Sequence, residues 1–165
     1  MNHHHSNPPG LRLPLAALLA GLLILNPPSA HAEATIQVTN AWARATVPGQ
    51  TVAGVYLEIS SSEDARVVGV RSPASKSAEI HSMSTEGGMM KMRRLSGLDL
   101  PAGQTVRFAP GGNHIMLLDI KEPLVLGGRV TVTLIVSQKG KKKRIDVQAE
   151  VRALDGAGSG QDQPQ

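Results

Sequence analysis

Residues 78–95 read AEIHSMSTEGGMMKMRRL. Two short runs, Ala78–Ser84 and Met89–Leu95, flank Thr85-Glu86-Gly87-Gly88, and four-residue loops containing Gly are common hairpin connections. With Ser84 opposite Met89, His81 faces Met92 and Met83 faces Met90. Because side chains alternate along a strand, His81, Met83, Met90 and Met92 then project to one side, away from Ile80. Cross-strand neighbours on one face lie about 5 Å apart at Cβ, within reach of a shared ion. A one-residue slip of register would destroy the arrangement.

The rest of the chain is built the same way. From Thr35 onward, β-branched runs are punctuated by Gly, Pro and Ser, with no long segment of period 3.6. Besides the hairpin, strands are predicted over Ile36–Thr46, Val52–Ser60, Arg66–Arg71, Thr105–Phe108, His114–Ile120, Arg129–Ser137 and Arg144–Val151. Such short strands imply an all-β fold, a sandwich or Greek-key barrel of about eight to nine strands. Trp42, Tyr56 and Phe108, the only aromatic residues, are expected in its core. Lys139–Arg144 (KGKKKR) reads as a hairpin tip whose lysines protect edge strands; electrostatic steering toward an acidic surface is the functional alternative.

The ends differ in character. Arg12 precedes an apolar run, Leu13–Leu25, followed by Asn26-Pro27-Pro28 and the small-residue pattern Ala30-His31-Ala32, which reads as a secretory signal cut before Glu33. The run is shorter than the about 20 residues a bilayer span needs. Without Cys, a lipid anchor is not expected either. The predicted organisation is a signal over residues 1–32, one β domain over 33–153 and a disordered Gly/Ser/Gln tail over 154–165. The expected location is the periplasm, without stable membrane insertion.

A chain of 165 residues without cysteine cannot be a disulfide scaffold, a zinc ribbon, a thiol enzyme or a blue-copper carrier with a thiolate ligand. Loss of Arg12 with the signal leaves 16 basic residues against 13 acidic ones. Five of those cations belong to the Lys139–Arg144 tip, and no nucleic-acid motif accompanies them, so nucleic acid is not an expected partner. No GxSxG, GxGxxG or P-loop pattern occurs, and the protein is not expected to be an enzyme.

Removal of residues 1–32 leaves only His81 and His114, and five methionines: Met83, Met89, Met90, Met92 and Met116. All lie between His81 and Met116. The strand beginning Gly111-Gly112-Asn113-His114-Ile115-Met116 offers a second His and Met on one face. Joined with the hairpin, it would give a site of two imidazoles and two thioethers. Such neutral N/S donors favour Cu(I) over zinc or a hard cation, and thioethers escape the disulfide chemistry of an oxidising compartment. Methionine also serves as a gap-filler in cores, but packing alone gives no reason to confine every Met and His to one window with matching parity.

The spacing from His81 through Met92 and His114 to Met116, His-x10-Met-x21-His-x-Met, resembles the signature of the periplasmic copper chaperones called PCuAC. The surrounding AEIHSMSTEGGMMKMRRL and LPAGQTVRFAPGGNHIMLLDI are similar too, as are Ala41-Trp42-Ala43-Arg44 and Gly54-Val55-Tyr56, so the resemblance spans roughly Thr35 to Val151. It implies a cupredoxin-like β-sandwich holding one Cu(I) through His81, Met92, His114 and Met116; the hairpin face adds Met83 and Met90 as auxiliary candidates, or as packing. It further implies delivery to the copper A site of cytochrome c oxidase subunit II, alongside an Sco-type protein; the chain is expected to be a monomer. Ser82 stands where some members have Met, and the tail lacks the His/Met-rich extension that binds Cu(II) in others. The alternative readings are a periplasmic copper buffer or resistance protein without a dedicated acceptor, an oxidative copper enzyme if cleavage exposed His31, and a metal-free adhesion sandwich.

Overall fold

The computed structural model describes residues 35–153, together with Met1; the expected signal and tail lie outside the described residues. Ten strands run in chain order: β1 Ile36–Arg44, β2 Val52–Ser61, β3 Ala65–Arg71, β4 Ser75–Glu86, β5 Met89–Leu95, β6 Leu98–Leu100, β7 Thr105–Phe108, β8 His114–Ile120, β9 Arg129–Gln138 and β10 Lys141–Arg152. The fold is the expected all-β, cupredoxin-like sandwich, with ten strands rather than eight or nine. The additional strand is β6, three residues paired to β3 through Ala65↔Leu100 and Val67↔Leu98.

Neighbouring strands follow the order β5-β4-β8-β2-β1-β10-β9-β3-β6, with β7 on β2. Strand β1 joins the two halves of that order. It runs antiparallel to β2 and parallel to β10, and its register on β2 shifts between Thr39 and Trp42. Asn40, inside the shift, has φ 51°, a left-handed conformation that Asn tolerates better than most residues. Such a bulge bends and twists a strand.

Alternation decides what is buried. Val55, Leu57 and Ile59 of β2, Ile80 of β4, and Ile115 and Leu117 of β8 come from one half. They form a single core with Val67 of β3, Val132, Leu134 and Val136 of β9, and Ala149 and Val151 of β10. Of the three aromatic residues only Phe108 joins that core. Tyr56 is buried, but outside that cluster, and Trp42 is partly buried: the two face each other across β1 and β2 with ring centroids 4.5 Å apart. They share a parity with Gly54, opposite to that of Val55 and Leu57, so they lie on the outer face.

Candidate metal centre

The β4–β5 hairpin is tighter than its sequence suggests. Glu86 pairs with Met89, so the turn has two residues, Gly87 and Gly88, at φ 61° and 78°. Two successive positive φ values define the turn whose twist matches an antiparallel pair, and Gly adopts them without steric cost. The register therefore moves by two residues from the expected one. His81 faces Arg94 rather than Met92, and Met83 faces Met92 rather than Met90, whose partner is Thr85. A two-residue shift preserves parity. His81, Met83, Met90 and Met92 remain on one face.

Strand β8 completes the arrangement from the other side of β4. His81 pairs with His114, Ile80 with Ile115 and Glu79 with Met116. Since Ile80 and Ile115 enter the core, the two histidines and Met116 lie on the outer face. Gly54 of β2 sits opposite Met116. A Cβ at Gly54 would come within 2.6 Å of the Tyr56 hydroxyl, so the missing side chain makes room for Tyr56 to fold back over its own strand. Met83, Met92, His114 and Met116 border one open depression with Gly54, Tyr56, Arg44 and Pro110. Burial pushes the Tyr56 phenol above its usual pKa, and the Arg44 cation pulls it partly back; it is therefore a neutral phenol near the site.

The two imidazoles are oriented by hydrogen bonds on their outer nitrogens. His114 Nδ1 lies 3.0 Å from the Gly112 carbonyl oxygen. A carbonyl only accepts, so Nδ1–H donates and the neutral ring keeps its lone pair on Nε2. His81 Nε2 lies 2.8 Å from Glu79 Oε2, while Glu79 Oε1 is 3.2 Å from Arg94 Nη1. With Nε2–H donating to the ionised carboxylate, the lone pair of His81 falls on Nδ1. That atom is buried and has no hydrogen-bond partner, although buried polar atoms are normally satisfied. The rings stand edge to face, centroids 5.7 Å apart. Metal-ligating histidines characteristically donate their second N–H to a carboxylate or carbonyl, which fixes tautomer and ring orientation.

Four sulfur or nitrogen donors at the expected positions therefore share one face: His81, His114, Met92 and Met116. Their exposure is graded, since His114 is 4% exposed and Met92 49%. Of the auxiliary residues, Met83 borders the depression and Met90, 63% exposed, lies further along the hairpin. Among the described residues no three His, Asp or Glu side chains converge as a metal-binding group. The donor set is neutral and soft, and fits a monovalent soft ion better than a hard divalent one. Sequence reasoning missed Glu79 and Tyr56. Glu79 stood two residues before His81, hence on its face, and that alternation was the available signal.

Residues 36–151 match the family described as "Putative lipoprotein LpqE-like". A protein of Leifsonia xyli subsp. xyli, "Putative lipoprotein Lxx21020", is 41% identical over 100 residues, which are 60% of each chain; this chain thus spans about 60% of that relative's length. Among solved structures, the copper-bound PCuAC domain from PmoF2 is 28% identical with a TM-score of 0.58, over 72% of this chain and 92% of that one. The Cu(I) form of DR1885 from Deinococcus radiodurans is also 28% identical, with a TM-score of 0.57, over 76% and 84%. The sequence resemblance to PCuAC proteins thus holds in three dimensions, and with 116 consecutive positions matched the chain belongs to the LpqE-like, PCuAC-related family.

Proposed function

We propose that this chain is an exported copper(I) carrier that binds one Cu(I) through His81, Met92, His114 and Met116 and passes it to a copper-requiring protein. The observation that carries the reading is the state of the imidazoles. Each has its outer nitrogen committed to a hydrogen bond, at Gly112 and at Glu79; the free nitrogen of His81 is buried without a partner, in a ring 5.7 Å from that of His114, which borders a depression with Met92 and Met116. Copper in the related PmoF2 domain and Cu(I) in DR1885 support the choice of cargo.

The same residues suit release. Met92 is half exposed and sits on a hairpin strand that adds little to the core, so a donor from an acceptor protein can approach there and displace its thioether. His114 is buried and tied to its own backbone, which holds the ion until a second donor has entered. No electron moves in such an exchange. Residues 1–32 act as the export signal, in keeping with the lipoprotein descriptions of the relatives, and place the carrier in the periplasm. The acceptor is the copper A site of cytochrome c oxidase subunit II, with an Sco-type protein acting alongside.

Deleting the gene at limiting copper tests the assignment. Loss of oxidase activity, restored by added copper, is the expected result. Copper sensitivity with normal oxidase would instead identify a buffer without a dedicated acceptor.

A further inference from the structure

Three thioethers line the outer face of the hairpin, but the four-donor site uses only one of them. Met83 and Met92 are direct cross-strand partners, and Met90 is two residues from Met92, opposite Thr85. Cross-strand pairs of this kind have Cβ atoms about 5 Å apart, and positions i and i+2 on a strand are about 7 Å apart, distances that long, flexible Met side chains can close around one ion. Packing does not explain Met90 and Met92, which are 63% and 49% exposed, on a strand whose first six residues are all exposed.

The opposite face of the hairpin has different chemistry. Lys91 Nζ lies 2.9 Å from Glu86 Oε2, and Arg93 Nη2 3.0 Å from Glu86 Oε1. That ion triad ties the two strands together at the tip and keeps both cations on the far side of the sheet from the sulfurs. The tip is thus held in register from the far face, while the methionine face runs from the tip to His81 and Arg94, where the Glu79–Arg94 ion pair joins the strands.

We infer that Met83, Met90 and Met92 form a second, weaker Cu(I) site, a loading stop at which the ion is first taken up before His81 and His114 replace Met90 and Met83. The inference rests on the carrier reading and deepens it. Met92 belongs to both donor sets, so the two sites are occupied alternately and one Cu(I) is bound at a time. Transfer between them is ligand exchange with the Cu–S bond to Met92 kept: two Cu–S bonds break, two Cu–N bonds form, Met116 closes the set, and the oxidation state is unchanged. Three neutral thioethers suit Cu(I) and offer no grip to hard cations.

The test compares the full chain with its Met83→Leu/Met90→Leu variant, a volume-conserving change, taking up Cu(I) from a coloured Cu(I) chelate under anaerobic conditions. Equilibrium affinity should stay within about 3-fold while uptake slows by roughly 10-fold, because an on-pathway stop changes rates and not the final state. Unchanged uptake would overturn the proposal. So would an affinity loss as large as that of Met92→Ala, which would make Met83 and Met90 resident ligands. Slower transfer only to a protein acceptor, with normal uptake from the chelate, would make the methionine face a docking surface and not a copper site. A second measurement follows methionine methyl resonances of the His81→Ala/His114→Ala chain on adding Cu(I): Met83, Met90 and Met92 should shift together, and their failure to do so rejects the stop. If the unmodified chain does not compete for Cu(I) at all, the carrier reading itself falls. Competition with unaltered uptake in the leucine variant removes the loading stop alone.

Discussion

The β4–β5 and β9–β10 hairpins have the same turn geometry and opposite uses. Each turns on two residues with positive φ, Gly87 and Gly88 in the first, Lys139 and Gly140 in the second. In β9–β10 the even residues Val130, Val132, Leu134 and Val136 are buried, as are Val147, Ala149 and Val151 of the partner strand. In β5 no residue is buried. The core hairpin spends its alternation on packing, and its lysines gather at the solvated tip. The other enters the sheet through the pairing of β4 with β8, and of β5 only Leu95 packs against the core, so the rest of that strand is free to carry soft side chains that a packed strand would have to bury. On the proposed reading, ligation and stability are separated onto different hairpins.

Leu134→Ala probes the core hairpin. The side chain is fully buried, and truncation should cost about 2–5 kcal/mol, read as a lower midpoint in urea unfolding. Met90→Ala on the exposed strand should stay within about 0.5 kcal/mol. Comparable losses from the two variants would abolish the distinction between the hairpins.

Glu79→Ala sharpens the comparison from the side of the metal. Removing the carboxylate frees His81 to rotate or change tautomer, and loss of a partner of this kind typically costs roughly 10-fold or more in metal affinity. Core packing should be untouched, so Cu(I) affinity should fall while the unfolding midpoint moves little. A fall in stability without a change in affinity would make the Glu79 contact merely structural.

The turns should give stability changes of about 2 kcal/mol or less. Gly88 at φ 78° has open space around its Cβ position, so Gly88→Ala suffers only from the backbone conformation, about 1–2 kcal/mol. Lys139 already occupies the left-handed region at φ 48°. Lys139→Gly should relieve that strain while losing an exposed ion pair to Glu63, a net gain of at most about 1 kcal/mol. Thermal unfolding of both variants should therefore show opposite shifts.

The same contrast shows what the sequence makes legible. Alternation along Val130–Val136 marks a half-buried strand wherever it pairs, and the all-β class follows from many such segments. The short strand β6 carries too few residues to show a period. The turn of β4–β5 misleads because Thr85 and Glu86 are polar and read as loop, while the two glycines alone suffice for the reversal. Side-chain parity survives that error, so the four donor positions could be found with the wrong cross-strand partners. Two features are invisible to local reading. The His81↔His114 pairing joins strands 33 positions apart, and the outward placement of Trp42 depends on the bulge at Asn40.

Two histidines and two methionines on this outer face are proposed to hold one Cu(I). The most direct test is an anaerobic Cu(I) competition titration of the full chain beside the Met92→Ala/Met116→Ala variant. One equivalent should bind to the unmodified chain, with the affinity weakened by about 100-fold or more in the variant, some 2.7 kcal/mol. Equal affinity in the two proteins, or no competition by the unmodified chain, would contradict that assignment.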